Sequence, residues 1–204
     1  MAQRMWRVPA RIETERLTLR CYVPEDAEAM DEVIPANREY LLEFMAWAEV
    51  EPIGAENRRS LVAKFIEDFK AGTDEYTMGV FTKDGAYLGG TGYHVREDHL
   101  EIGYWLAEDA QGQGLMTEAA GALTRVALQY AFAPFVAICC DPANTRSKGI
   151  PLRLGYAFAG TRELEGVDHE QYQLTQEAFL DSPASAEPRP HLFDGIGSPI
   201  PWPV

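Results

Sequence analysis

Basic residues are scarce in this chain of 204 residues: 18 lysines and arginines stand against 32 aspartates and glutamates, a formal net charge of −14. Nucleic-acid binding draws on clustered Lys and Arg that neutralise phosphates, so a nucleic-acid partner is excluded, and a polybasic membrane patch with it. Cysteine is nearly absent. The three present, Cys21, Cys139 and Cys140, form no disulfide framework and no C-x-x-C pair, and the last two read as buried structural thiols. Long apolar runs are missing too; none approaches the roughly 18 residues of a membrane span. The start, residues 1–17, is polar and dotted with arginine, without the apolar segment of a secretory signal. The four histidines, His94, His99, His169 and His191, lack metal-ligand spacing, so no metal is expected. Together these absences lead to the expectation of a cytoplasmic protein without disulfides, metal or membrane anchor.

What is there is globular: 46% of the residues are hydrophobic and 25% charged, enough to bury one sizeable core without staples. Charge is unevenly spread. Residues 25–51 hold nine acids and only Arg38, whereas no Lys or Arg occurs from Glu97 to Thr124. Six of the 13 prolines fall in the last 22 residues. That composition predicts a domain over 1–180 and an extended proline-rich tail over 181–204. The tail's Phe193, Ile196, Ile200 and Trp202 are apolar enough to dock on the body or on a second subunit, which leaves a homodimer open.

Hydropathy patterning gives the order of elements. Leu17–Cys21 alternates as a strand, and Pro24-Glu25-Asp26 opens a helical stretch over 27–47. A second helix is predicted over 57–69, then strands over 76–81 and 87–95 joined by the turn Lys83-Asp84-Gly85. Residues 100–106 are apolar on both parities except Glu101, which marks a central strand covered on both faces. A helix from Met116 to Tyr130, a buried strand over 135–140, a short helix over 145–154 ending at Gly155, and strands over 156–159 and 171–175 complete the body. Antiparallel hairpins with interspersed helices and one strand–helix–strand crossover make an α+β fold.

One junction carries chemistry. In Gln111-Gly112-Gln113-Gly114-Leu115-Met116 two glycines stand between a strand and a helix. Glycine admits positive φ and close backbone approach, and the first amides of a helix have no intrahelical partner and sit at its positive end. Such a turn can hold a pyrophosphate without a basic side chain. A Walker A loop is excluded because no Lys is present. A dinucleotide fingerprint fits poorly, since Thr117 stands where its third glycine belongs. A tight turn with no ligand is the competing reading.

The surroundings decide between them. Glu101-Ile102-Gly103-Tyr104-Trp105-Leu106, followed by Gln111 to Ala119, strongly resembles the cofactor motif of the GNAT superfamily of acetyl-coenzyme A-dependent N-acetyltransferases. Thr14 to Arg20 looks like the opening strand of the ribosomal-protein-alanine N-acetyltransferase branch, and Cys140 to Ser147 with Arg153-Leu154-Gly155-Tyr156 looks like that branch's second cofactor-side motif. The resemblance runs over about residues 12–176, with Met116 departing from the superfamily's usual Gly or Ala as members of this branch often do.

The resemblance implies a mixed, mostly antiparallel twisted sheet of about seven strands flanked by helices and splayed between its central strands. It implies acetyl-CoA as co-substrate: backbone amides of Gly112, Gln113, Gly114, Leu115, Met116 and Thr117 on the pyrophosphate, with Gln111 beside them, and pantetheine along Trp105 and Leu106. Asn144 would bond the pantetheine arm or thioester, unless it caps the following helix. Arg146, Lys148 and Arg153 would reach the 3′-phosphate. Ser147 is the candidate acid for the departing thiolate, against a purely local first-turn role. Glu101 is the candidate general base, with desolvation expected to raise its pKa, against a solvent-facing strand-end carboxylate. Water held by Glu163 or Glu165 is the other route for the proton, and a backbone amide near Trp105 or Leu106 would stabilise the oxyanion. The acceptor expected is a primary amine, on a protein N-terminus or a small molecule; the acidic 25–51 segment either draws it or simply exposes carboxylates to water, and Tyr40, Phe44 and Trp47 read mostly as core, with one able to line the pocket. A catalytically silent acyl-CoA-binding or interaction module on the same fold is the alternative.

Overall fold

The computed structural model describes residues 6–72, 74–164 and 166–203. The first five residues of the arginine-dotted start and Glu165 lie outside the described residues. Strands β1 (Arg11–Glu13) and β2 (Leu17–Cys21) lead into helices α1 (Asp26–Ala36), α2 (Arg38–Leu41) and α3 (Ala55–Ala71), with a 3₁₀ turn over Ala46–Val50. Then come β3 (Glu75–Thr82), β4 (Tyr87–Val95) and β5 (Leu100–Leu106), helix α4 (Leu115–Arg125) and β6 (Phe135–Cys140). Helix α5 (Thr145–Leu154), the hairpin β7 (Ala157–Leu164) and β8 (Val167–Thr175), short helices α6 (Gln176–Phe179) and α7 (Pro183–Ala186), and strands β9 (His191–Phe193) and β10 (Pro199–Ile200) follow.

All ten strands join one sheet in the order β10-β9-β1-β2-β3-β4-β5-β6-β8-β7, so the sheet is wider than the expected seven. Every neighbouring pair is antiparallel except β5 and β6, whose parallel pairing requires the crossover through α4. The strands added at one edge are short, and three residues are too few to show an alternation. At the other edge β7 and β8 outrun their predicted spans because β7 is largely exposed and its sequence carries no apolar stripe.

Side-chain alternation assigns the two sheet faces. Leu100, Ile102 and Leu106 of β5 pack with Ala119, Ala120 and Leu123 of α4 in the larger core. Trp105, on the opposite parity, packs against a second cluster in which α1 and α3 bury Met30, Ile34 and Val62 over Phe81 and Tyr87.

The helical stretch predicted over 27–47 is broken. Pro35 cannot donate within α1, and Asn37 turns its Nδ2 back to the Val33 carbonyl (2.8 Å), which ends the helix and starts α2. Helix α4 widens over Val126–Tyr130, where the Ala131 amide reaches the Val126 carbonyl.

Of the segment expected as an extended tail, residues 181–203 fold onto the body. Leu192 pairs with Ile12 across β9 and β1, and both are buried. Arg125 donates to the carbonyls of Ser185 and Glu187 (2.7 Å each), and Trp202 Nε1 donates to the Pro190 carbonyl (3.0 Å). Among the described residues no helix is long and apolar enough to cross a membrane.

Candidate functional site

The central strands part at a defined register. β5 and β6 pair at Leu100 with Val136, Glu101 with Ala137 and Ile102 with Ile138. Beyond that point Gly103 to Leu106 keep β4 as partner, while Cys139 and Cys140 pair with β8. The two strands diverge because each follows its other neighbour, and the wedge between them opens into a cavity of about 710 Å³.

One wall is the glycine turn. Gly112 and Gly114 have φ of +73° and +75°, which an L side chain adopts at a cost. They steer the chain so that α4 starts at Leu115 with its amino end toward the cavity. Gln111, Leu115, Met116 and Thr117 line the same wall, and Trp105 and Leu106 supply the exposed edge of β5. Gln113 does not: its carbonyl accepts from Arg16 Nη1 (2.9 Å) on the outside of the turn, where Arg16 also holds Glu118 (2.6 Å).

The facing wall is α5. Asn144 caps it, accepting from the Ser147 amide at 2.9 Å, and both residues line the cavity. Ser147 Oγ lies 3.3 Å from Tyr104 Oη, and Tyr104 donates to the Ser147 carbonyl at 3.2 Å. Burial pushes the Tyr104 phenol well above its ordinary range, so it stays protonated. Lys148 is turned a third of a helical turn away from Ser147 and pairs with Glu170 (2.6 Å), so it leaves the site. Arg146 and Arg153 enter it instead, the first on Gln111 Oε1 (3.0 Å) and the second on Thr117 Oγ1 (3.1 Å). The 97–124 stretch without basic residues thus has arginines beside it from another segment. Tyr40, Leu41, Phe44 and Met45 close the far side.

Glu101 is not a raised-pKa base. It is 4% exposed, and burial alone would push its carboxyl up. Arg96 Nη2 (2.8 Å) and Arg162 Nη2 (2.9 Å) outweigh that and hold the carboxyl below the ordinary carboxylate range. The side chain also lies on the sheet face away from Tyr104. Glu163 is exposed near the tip of the β7–β8 hairpin, opposite Asp168. Nor are all the 25–51 acids free to attract an amine: Asp26 binds Arg20 (2.7 Å) and Glu51 binds Arg58 (2.5 Å). Burial pushes Cys139 and Cys140 up to about 12 and about 11, which keeps them as unreactive thiols. No group of three or more His, Cys, Asp or Glu among the described residues can hold a metal.

Sequence reasoning missed Tyr104, Arg96 and Arg162. Tyr104 was readable as the α4-facing parity of β5; the arginines became visible only through tertiary contact, because Arg162 is 61 residues from its partner.

Known proteins resemble this chain. YdaF of Bacillus subtilis (strain 168), a proposed ribosomal N-acetyltransferase, is 30% identical over 163 residues, spanning 76% of this chain and 88% of its own. A solved structure titled as a probable acetyltransferase is 28% identical, covers 80% of this chain and 95% of its own, and superposes with a TM-score of 0.73. RimL, a ribosomal L7/L12 alpha-N-protein acetyltransferase solved with coenzyme A, is 22% identical, covers 82% of this chain and 99% of its own, and has a TM-score of 0.73. The model of the acetyltransferase (GNAT) domain matches residues 16–157, and the chain belongs to that family of acetyltransferases.

Proposed function

We propose that the protein transfers an acetyl group from acetyl-CoA to a primary amine by direct attack in a ternary complex. The observation that carries this reading is the wedge between β5 and β6, with a positive-φ glycine turn at one wall and a paired hydroxyl at the other. The groups present suit coenzyme A. Backbone amides of Gly112 and of Gly114 to Thr117 would hold the pyrophosphate. The positions of Arg146 and Arg153 suit a phosphate, and the unpaired edge of Trp105 and Leu106 suits the amides of pantetheine in the manner of an added strand.

The chemistry follows from the same groups. The amine nitrogen attacks the thioester carbonyl, the tetrahedral oxyanion takes a backbone N–H of β5, and the C–S bond breaks. The departing thiolate, whose thiol has a pKa of about 8.5, takes a proton from Ser147, whose hydroxyl is held by Tyr104, and the proton that the attacking nitrogen sheds as the amide forms returns to the Ser147 oxygen. Glu101, ionised and paired with Arg96 and Arg162, does not draw the proton from the ammonium. An α-amine of pKa about 8 is about one-quarter neutral at pH 7.5, a lysine of pKa about 10.4 only about one part in a thousand. The site therefore suits an α-amine, which agrees with the protein N-termini named for relatives.

The test is coenzyme A release with peptide and small-molecule amines, wild type against Ser147→Ala. Turnover that depends on Ser147 supports the reading. Tight acetyl-CoA binding with no turnover on any amine would favour a silent binding module, and no coenzyme A binding would sink both.

A further inference from the structure

On the sheet face away from α4, helices α1 and α3 cover Phe81, Tyr87 and Trp105. The apex of the wedge on that face is roofed differently. Glu101 stands one residue before the last β5–β6 pair, and Cys139 one residue after it. Above them lie Arg96, from the end of β4, and Arg162, which reaches across from β7, with 35% and 31% of their side chains in solvent. Both donate to Glu101 through Nη2, and Glu101 Oε2 is 3.5 Å from Cys139 Sγ.

Two guanidinium groups on one carboxylate leave one positive charge over. Ala137, Gln171 and Gln173, which the register sets on this face, are neutral, and the His94 ring bonds Glu75 at 2.7 Å. In a chain of net charge −14, two part-exposed arginines sharing one carboxylate at the apex are a local feature and not a general field.

We propose that Arg96 and Arg162 bind an anionic group of the acceptor, so that the amine acetylated belongs to a carboxylate-bearing molecule. The inference rests on the acetyl-transfer reading and adds the substrate class to it. Arg96 and Arg162 meet Glu101 one residue before the last β5–β6 pair, which puts an anion held there beside the apex of the wedge. A free amino acid and a peptide with an acidic residue next to its N-terminus offer the same chemistry. A polyamine offers the opposite charge and is disfavoured. Guanidinium groups bind carboxylate through paired, charge-assisted hydrogen bonds that a carboxamide cannot replace.

The experiment compares acceptors that differ in that group, at equal concentrations of neutral amine: Ser-Asp against Ser-Asn peptides, and alanine against alaninamide. The wild type should favour the acid of one pair by about tenfold or more in kcat/KM, mainly through KM, and the pair that responds identifies the source. Arg162→Gln should bring the ratio towards one, Arg162→Lys should restore part of it, and the KM for acetyl-CoA should not move. Equal use of acid and amide in both pairs, or a preference that survives in the Arg96→Gln/Arg162→Gln double variant, overturns the proposal. If no amine turns over, calorimetric titration of the same acceptors into the coenzyme A-saturated protein still decides. Acid-selective binding supports the anion site while sinking acetyl transfer; no selectivity sinks the anion site.

Discussion

The Tyr104 hydroxyl and the Ser147 side chain stand 3.3 Å apart, one on β5 and the other in the first turn of α5. The pair exists because Asn144 caps α5 and so orients its first turn toward the wedge. Burial keeps the phenol protonated, leaving both hydroxyls able to serve a departing thiolate. Ser147→Ala should lower kcat by about a hundredfold, within the span of a lost general acid, and Tyr104→Phe by about tenfold. The double variant should lose little more than Ser147→Ala, because the two act as a unit. Coenzyme A release under saturating acetyl-CoA measures all three.

Glu101 makes a prediction of a different sign from a catalytic base. Its carboxyl is held below the ordinary range, so the native state binds fewer protons than the unfolded chain between the two pKa values. The stabilisation is complete above the unfolded pKa of about 4.3 and is lost as pH falls through the lower folded value. Glu101→Gln should therefore cost about 2 kcal/mol at pH 7, since removing it leaves two part-exposed arginines unpaired. The cost should shrink below pH 4 in urea unfolding. Acetyl transfer should persist. Abolished turnover in a variant of unchanged stability would return Glu101 to the role of base.

Gly114 heads α4 at φ +75°. Gly114→Ala should cost about 1 kcal/mol for the left-handed backbone. It should also weaken coenzyme A binding about tenfold, because strain there displaces the amides aimed at the pyrophosphate. Thermal unfolding reads the first effect and calorimetric titration with coenzyme A the second.

Leu192 is 2% exposed against Ile12, which is fully buried. Leu192→Ala should destabilise the protein by about 3 kcal/mol, as for a buried leucine elsewhere in a core, without changing the affinity for acetyl-CoA. Urea unfolding checks it. A change of under about 0.5 kcal/mol, ordinary for surface sites, would mean that residues 181–204 are an appendage after all.

The sequence by itself determined the α+β class, the order of the elements from β2 to β8 apart from the break between α1 and α2, the single crossover, and the glycine turn that places a helix amino end at the cavity. These are local properties: alternation, glycine at positive φ, and a capping Asn are written within a few residues of where they act. Tertiary structure alone decided the rest. Arg146 and Arg153, offered by the sequence for the 3′-phosphate, come to the glycine turn itself from 35 and 36 residues away, so the stretch without basic residues is not left to its backbone. Lys148 leaves the site because one helical step turns it toward Glu170. Glu101 looked, in isolation, like a desolvated base; two arginines brought in by β4 and β7 reverse its titration. The proline-rich residues at the end read as an extended segment able to dock on the body or on a second subunit, and they close the sheet edge. The physical reason is common to all four. Burial and charge pairing depend on neighbours distant along the chain, and periodicity reports only which face a residue takes, not what meets it there.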